Sequence, residues 1–176
     1  QARIGAVAAR GCAGAAGIEA ALRRDSLGHA EKAMKVLGVD FTSAPYRRKA
    51  ITVASGRLRG PKLVIDELER FESFGGFEAM LARPGPWIGG FDFPFGIPRE
   101  AANAIGWPDT WQALVRKCES IGRAGFTIAS DKLRKSRPKG RKYPKRKGDD
   151  AAKSHSPMKC VRPPVGWMFV EGAPRL

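Results

Sequence analysis

From Lys35 onward, short apolar runs alternate with turn residues, and the pattern sorts into elements. KVLGVDF is an apolar, β-rich run closed by TSAP, which predicts a buried strand followed by a turn. RRKAITVASGRL predicts a second strand with Gly56 near a turn. PKLVIDELERF, where Leu63 and Ile65 alternate with polar neighbours, predicts a third, and the three form a hairpin or meander. Ser73 is a plausible N-cap for a helix over 73–82 that sets Phe74, Phe77 and Leu81 on one buried face, although the paired Gly75 and Gly76 weaken its start. Trp87 to Phe91 predicts a further short strand ending on Asp92 and a proline-punctuated turn. Helices follow over 98–105 and 109–121, the second capped by Asp109 or Thr110 and closed by Gly122. Three strands, a helix, a strand and then helices make an α/β chain.

Composition agrees with a packed fold. The chain has 176 residues with 43% hydrophobic positions and four Trp, enough for a core. No apolar run reaches the roughly 18 residues of a membrane-spanning helix, so a soluble protein without a membrane partner is expected. Cys12, Cys118 and Cys160 are odd in number, far apart and without zinc-ligand spacing, which points to a reducing compartment and a cytoplasmic location. With only His29 and His155 present, Ser/His or Cys/His catalysis has little material, and the chemistry falls to carboxylates.

Charge is unevenly placed. The formal net charge is +15, yet residues 132–162 hold 13 Lys and Arg against Asp149 and Asp150, a net of +11 that leaves only +4 for the rest. This stretch has Pro, Gly and Ser punctuation and no periodicity, so it is expected to be a long basic loop. Arg141, Lys142, Lys145 and Arg146 within it are candidate nucleic-acid contacts, because cations that neutralise phosphates gain affinity from counterion release. The plainer alternative is a solvated insertion. Residues 1–33, with 11 Ala and five Gly, look unlike the remainder and lack the pattern of a secretory signal. They are expected to be a leader outside a domain that starts at Met34 and spans 34–176.

Two segments resemble each other: LGVDFTSAP and IGGFDFPFGIP each run from apolar residues into Asp-Phe and a Pro-containing turn. If these strands are parallel neighbours, Asp40 and Asp92 reach one crevice at the strands' carboxyl ends, where open α/β sheets bind ligands. Two adjacent carboxylates repel each other, and a divalent cation removes that cost while activating water. Mg²⁺ or Mn²⁺ suits oxygen ligands of this kind. Either Asp alone has a simpler role, capping its own turn.

GVDFTSAP with the following RRK, WIGGFDFPFGIPRE, GWPDTW and SPMK…RPPVGWMFVEGAPRL together resemble the uncharacterised family called "domain of unknown function 429", regarded as predicted nucleases with a ribonuclease H-like fold. The resemblance covers most of 34–176. It implies a mixed five-stranded sheet, with the first three strands antiparallel, the fourth parallel to and beside the first, and helices on the faces. It also implies a metal-dependent nuclease acting on DNA or RNA. By position Asp40 and Asp92 match the acids of the first and fourth strands, and Glu78 is an alternative to Asp92. The family's pattern continues past EGAPRL into a further strand and an acid-bearing helix, so the domain is expected to be incomplete at its C-terminus and weakly active or inactive. Glu171 is then the candidate third catalytic acid, with an ordinary surface role as its alternative.

Arg47, Arg48 and Lys49 follow the Asp40 turn, where they either steer phosphates or guard an edge strand. The four Trp either stack on bases or fill the core. Two competing functions stand beside the nuclease. One is a nucleic-acid-binding module without catalysis. The other is an actin-like-fold phosphotransferase using Thr42 or Ser43. Oligomeric state is not legible.

Overall fold

The computed structural model describes residues 34–176, together with the backbone strand Ala6–Ala9. The expected leader otherwise falls outside the described residues. The chain divides into two compact units, Gln1–Asp92 and Phe93–Leu176.

In the first unit, β1 (Lys35–Asp40), β2 (Ile51–Arg59), β3 (Lys62–Phe71) and β4 (Trp87–Phe91) build an open mixed sheet in the order β3-β2-β1-β4. The first three strands are antiparallel neighbours, and β4 runs parallel to β1 with Val39 opposite Phe91. Ala6–Ala9 lies parallel along the far side of β4, Ala6 opposite Ile88. That segment comes from the start of the chain and is not the fifth strand implied beyond EGAPRL.

Strand alternation produces two unlike faces. Leu37 and Val39 of β1, Ile51 and Val53 of β2 and Phe91 of β4 are buried together with Phe41. They share their face with α1 (Phe74–Leu81), whose Phe77 and Met80 are also buried. Phe77 meets Phe41 at 5.9 Å and Phe71 at 6.3 Å between ring centroids, the tilted packing that aromatic quadrupoles favour. Ser73 caps α1 as expected, its hydroxyl accepting from the Gly76 N–H at 3.3 Å. The other face carries Gly38, Asp40, Thr52, Ala54 and Gly90, which are small or polar.

β2 and β3 are joined by a two-residue turn in which Gly60 adopts φ +57°, a left-handed conformation that glycine reaches without a Cβ penalty. The ladder slips between Ser55 and Gly56, leaving Asp66 as an extra residue on β3. A Cβ at Gly56 would lie 2.2 Å from the Val64 carbonyl oxygen, so only glycine fits the slip. Arg57 secures the bulged residue through two hydrogen bonds to the Asp66 carboxylate, at 2.9 and 3.2 Å. The alternation of Leu63 and Ile65 does not mark a core face. Both are half exposed, in the hairpin end where Arg57, Leu58 and Arg59 on the facing strand are exposed as well.

The second unit is helical: α2 (Arg99–Ala104), α3 (Trp111–Ser136), α4 (Lys147–Ala151), α5 (Val165–Gly172) and a terminal 3₁₀ turn, Ala173–Arg175. Its core gathers Ala101, Leu114, Cys118, Phe126, Leu133, Met158 and Phe169, with Trp107 edge-on to Phe126 at 5.5 Å. Gly122 does break the helix predicted over 109–121, at φ 57° and ψ −167°, but helical structure resumes at once and reaches Ser136.

The expected basic loop is therefore corrected. Lys132–Ser136 completes α3, residues 147–151 form α4, and Pro157 and Met158 are fully buried. Buried Asp149 explains the local order. Its carboxylate accepts from the Arg146 backbone N–H at 2.8 Å and from the Arg146 guanidinium at 2.5 Å. Apolar residues spaced too widely to show a period, Tyr143, Met158 and Cys160, nonetheless pack on or within the core.

A candidate carboxylate site at the ends of two parallel strands

Asp40 is the last residue of β1, and Asp92 follows the last residue of β4. The Asp92 N–H donates to the Val39 carbonyl at 2.9 Å, so the parallel ladder continues as far as Asp92 and the two acids stand side by side. Strand spacing places their backbones about 5 Å apart. Gly38 and Gly90, also in register, precede them on the same face. Asp40 lies opposite Thr52 on β2. These residues, with Ala54 and Leu68, line an open cavity of about 470 Å³.

The glycines make that room. A Cβ at Gly38 would meet nothing within 4 Å, and one at Gly90 would only touch the Leu37 carbonyl at 4.0 Å. Any larger residue at either place would project into the cavity. Both carboxylates are exposed, and among the described residues neither forms an ion pair. Two carboxylates about 5 Å apart repel by about 1 kcal/mol in water and about 3 kcal/mol at an effective dielectric of 20. Oxygen donors, uncompensated negative charge and open space on one side fit a hard divalent cation that keeps several waters. Among the described residues, no group of three or more His, Cys, Asp and Glu side chains gathers as a metal site, so the pair stands without a third acid.

Cations gather at the same end of the sheet. Arg47 sits in the Tyr46–Lys49 turn that follows β1, and the Arg70 guanidinium donates to the Arg47 carbonyl at 3.1 Å. Arg70 lies opposite Thr52, which in turn lies opposite Asp40, so the three positions form one cross-strand row. Arg48 is exposed beside them. Thr52 and Arg70 carry no sequence signal of their own. Counting outward from the Gly60 turn puts Glu69 opposite Thr52, and only the bulge at Asp66 moves Arg70 there.

The remaining candidates fall elsewhere. Glu78 is on α1, which packs on the other face of the sheet. Glu171 is on α5 in the second unit, where Arg123 holds its carboxylate at 2.6 Å and Arg175 at 3.3 Å. Arg123 also stacks over the Trp167 ring at 5.6 Å. Of the four basic candidates, Arg146 is tied to Asp149 and Lys145 pairs with Asp150 at 3.5 Å, whereas Arg141 and Lys142 are exposed. Thr42 and Ser43 are buried, and the Thr42 hydroxyl accepts from the Ala44 N–H at 3.4 Å, which is turn chemistry. Trp107 is half-buried against the core, edge-on to Phe126, and the Trp167 ring N–H donates to the Thr127 hydroxyl at 3.0 Å. Burial pushes the Cys118 thiol up to about 12 and raises Cys160 as well, so neither is a ready nucleophile at neutral pH.

No protein family, curated protein or solved structure matches the chain in comparison. Among the described residues, no helix is long and apolar enough to cross a membrane.

Proposed function

We propose that this protein is a divalent-metal-dependent phosphodiesterase acting on nucleic acid, kin to the ribonuclease H-like "domain of unknown function 429" proteins its motifs resemble. The observation that carries the reading is the side-by-side pair Asp40 and Asp92, exposed and, among the described residues, without ion-pair partners, over a cavity that Gly38 and Gly90 keep open. Asp40 and Asp92 hold Mg²⁺ or Mn²⁺, which when bound supplies Lewis acidity and an acidified water. The chain's own residues do the rest. Arg70 and Arg47 attract the phosphodiester to the end of the sheet, the Thr52 hydroxyl offers a hydrogen-bond partner within the cavity, and Arg141 and Lys142 add salt-sensitive backbone contacts. Cys118 and Cys160 are free thiols, consistent with a reducing, cytoplasmic setting.

The test is cleavage of labelled DNA and RNA by the protein and its Asp40→Asn and Asp92→Asn variants, with Mg²⁺ or Mn²⁺ and then with chelator. Metal-dependent cleavage lost in both variants supports the nuclease. Binding without cleavage in every sample replaces it with the non-catalytic module. ATP turnover without cleavage replaces it with the phosphotransferase, a reading that the burial of Thr42 and Ser43 disfavours.

A further inference from the structure

The second unit contains a groove that the carboxylate chemistry does not use. It encloses about 510 Å³, within the range of small-molecule sites, and runs along one side of α3. One wall is the turn after α2, with Ile105 and Trp107. The other is α3 itself, with Ile121, Gly125, Ile128 and Leu133.

The break in α3 falls next to Ile121, one of the residues that line the groove. Gly122 takes the left-handed φ that lets the helix change direction, and Ile121 then closes over Gly125 so tightly that a Cβ there would lie 2.6 Å from the Ile121 Cβ. Gly125, without a side chain of its own, lines the groove together with Ile121 and Ile128. Ile128 on its edge is 71% exposed, a large aliphatic surface left to water.

Charge on the rim selects the guest. Lys117 lines the groove from the helical half before Gly122 and Lys132 from the half after it, while among the described residues no acid lines it. Long lysine stems lie along apolar surface and keep their ammonium groups at its margin, where they can meet an anionic head. We propose that this groove binds small amphipathic organic anions, molecules with an aliphatic or aromatic body and a carboxylate, sulfonate or phosphate head. The body rests against Ile105, Trp107, Ile121 and Ile128, and the head pairs with Lys117 or Lys132. The nucleic-acid backbone has the charge without an apolar body, so this site is separate from the proposed hydrolytic one.

Isothermal titration of the full chain with decanoate, 1-decanol and decylamine below their micellar concentrations tests the proposal. Decanoate is expected to bind saturably, one per chain and at least tenfold tighter than decanol, with decylamine weaker than either. The double variant Lys117→Gln/Lys132→Gln should weaken decanoate about tenfold and leave decanol unchanged. Ile128→Glu, at an exposed position, should weaken both while circular dichroism and Tm stay as in the parent. Absence of saturable binding, equal affinity for decanoate and decanol, or affinity indifferent to both variants overturns the proposal.

Discussion

Asp40 and Asp92 on one side, and Glu171 on the other, are carboxylates in opposite circumstances. Glu171 has two guanidinium groups against it, and one of them is further engaged with an indole ring. Its negative charge is already compensated, and its role is to hold α5 to Arg123 of α3. Asp40 and Asp92 have each other and open water. Sequence position alone makes all three look like members of one acidic set. Their surroundings separate a structural acid from a pair whose charge still seeks a partner.

The sharpest break of this contrast is substitution of the pair. Asp40→Asn or Asp92→Asn should lower metal-dependent hydrolysis at least 100-fold, about 2.7 kcal/mol of transition-state stabilisation, while thermal unfolding shifts by no more than a degree or two. A variant that melts well below the parent yet cleaves normally would make these acids structural. Glu171→Gln should behave in reverse, costing about 1–2 kcal/mol in denaturant unfolding because two partly buried arginines lose their counter-charge, with cleavage per folded molecule little changed.

The same contrast divides the basic residues. Arg70→Gln, and separately the pair Arg141→Gln/Lys142→Gln, should reduce the slope of log affinity against log salt by about 0.7–0.9 for each phosphate that is no longer neutralised. Arg146→Gln should leave that slope alone and destabilise the second unit instead, since it uncovers buried Asp149. Binding measured from low to moderate salt, set beside a melting curve for each variant, distinguishes the two outcomes.

The smallest effect concerns pH. The hydrogen-bonded Arg83 guanidinium holds the Glu69 carboxyl below its ordinary value. The group therefore contributes stability above the ordinary carboxylate range, and that contribution fades as acid protonates it below about pH 4. Glu69→Gln should remove about 0.5 kcal/mol at neutral pH and flatten the acid limb of the stability curve. Equal acid sensitivity in parent and variant would assign that limb to other carboxylates.

β1, β2, β4 and α1 are readable in the sequence because their burial is periodic and Ser73 and the prolines mark ends, whereas the turn expected near Gly56 falls at Gly60 and β3 has no buried period. The juxtaposition of Asp40 and Asp92 is readable as a repeated strand-end pattern. What escapes is information that only pairing supplies. A one-residue bulge exchanges Glu69 for Arg70 in the row leading to Asp40, replacing an anion with a cation beside the carboxylates. No local pattern around Asp66 announces that slip. The segment 132–162 escapes because its order rests on a few distant anchors, Asp149, Ser156 and Met158, rather than on a repeat. Gly122 is legible as a break, yet a break within a helix and the end of one look alike until the next turns are placed.

The parallel register of β1 and β4 also bears on how this chain tolerates insertion and deletion. The two acids come together only because each stands the same number of residues past its partnered glycine, Gly38 or Gly90. A single residue added to or removed from either strand would turn its acid to the face covered by α1. The long excursion between the strands, which passes through β2, β3 and α1, carries no such restriction on its exposed turns. Length variation in this protein should therefore collect at places such as the Gly60 hairpin tip and avoid the short run from Lys35 to Asp40.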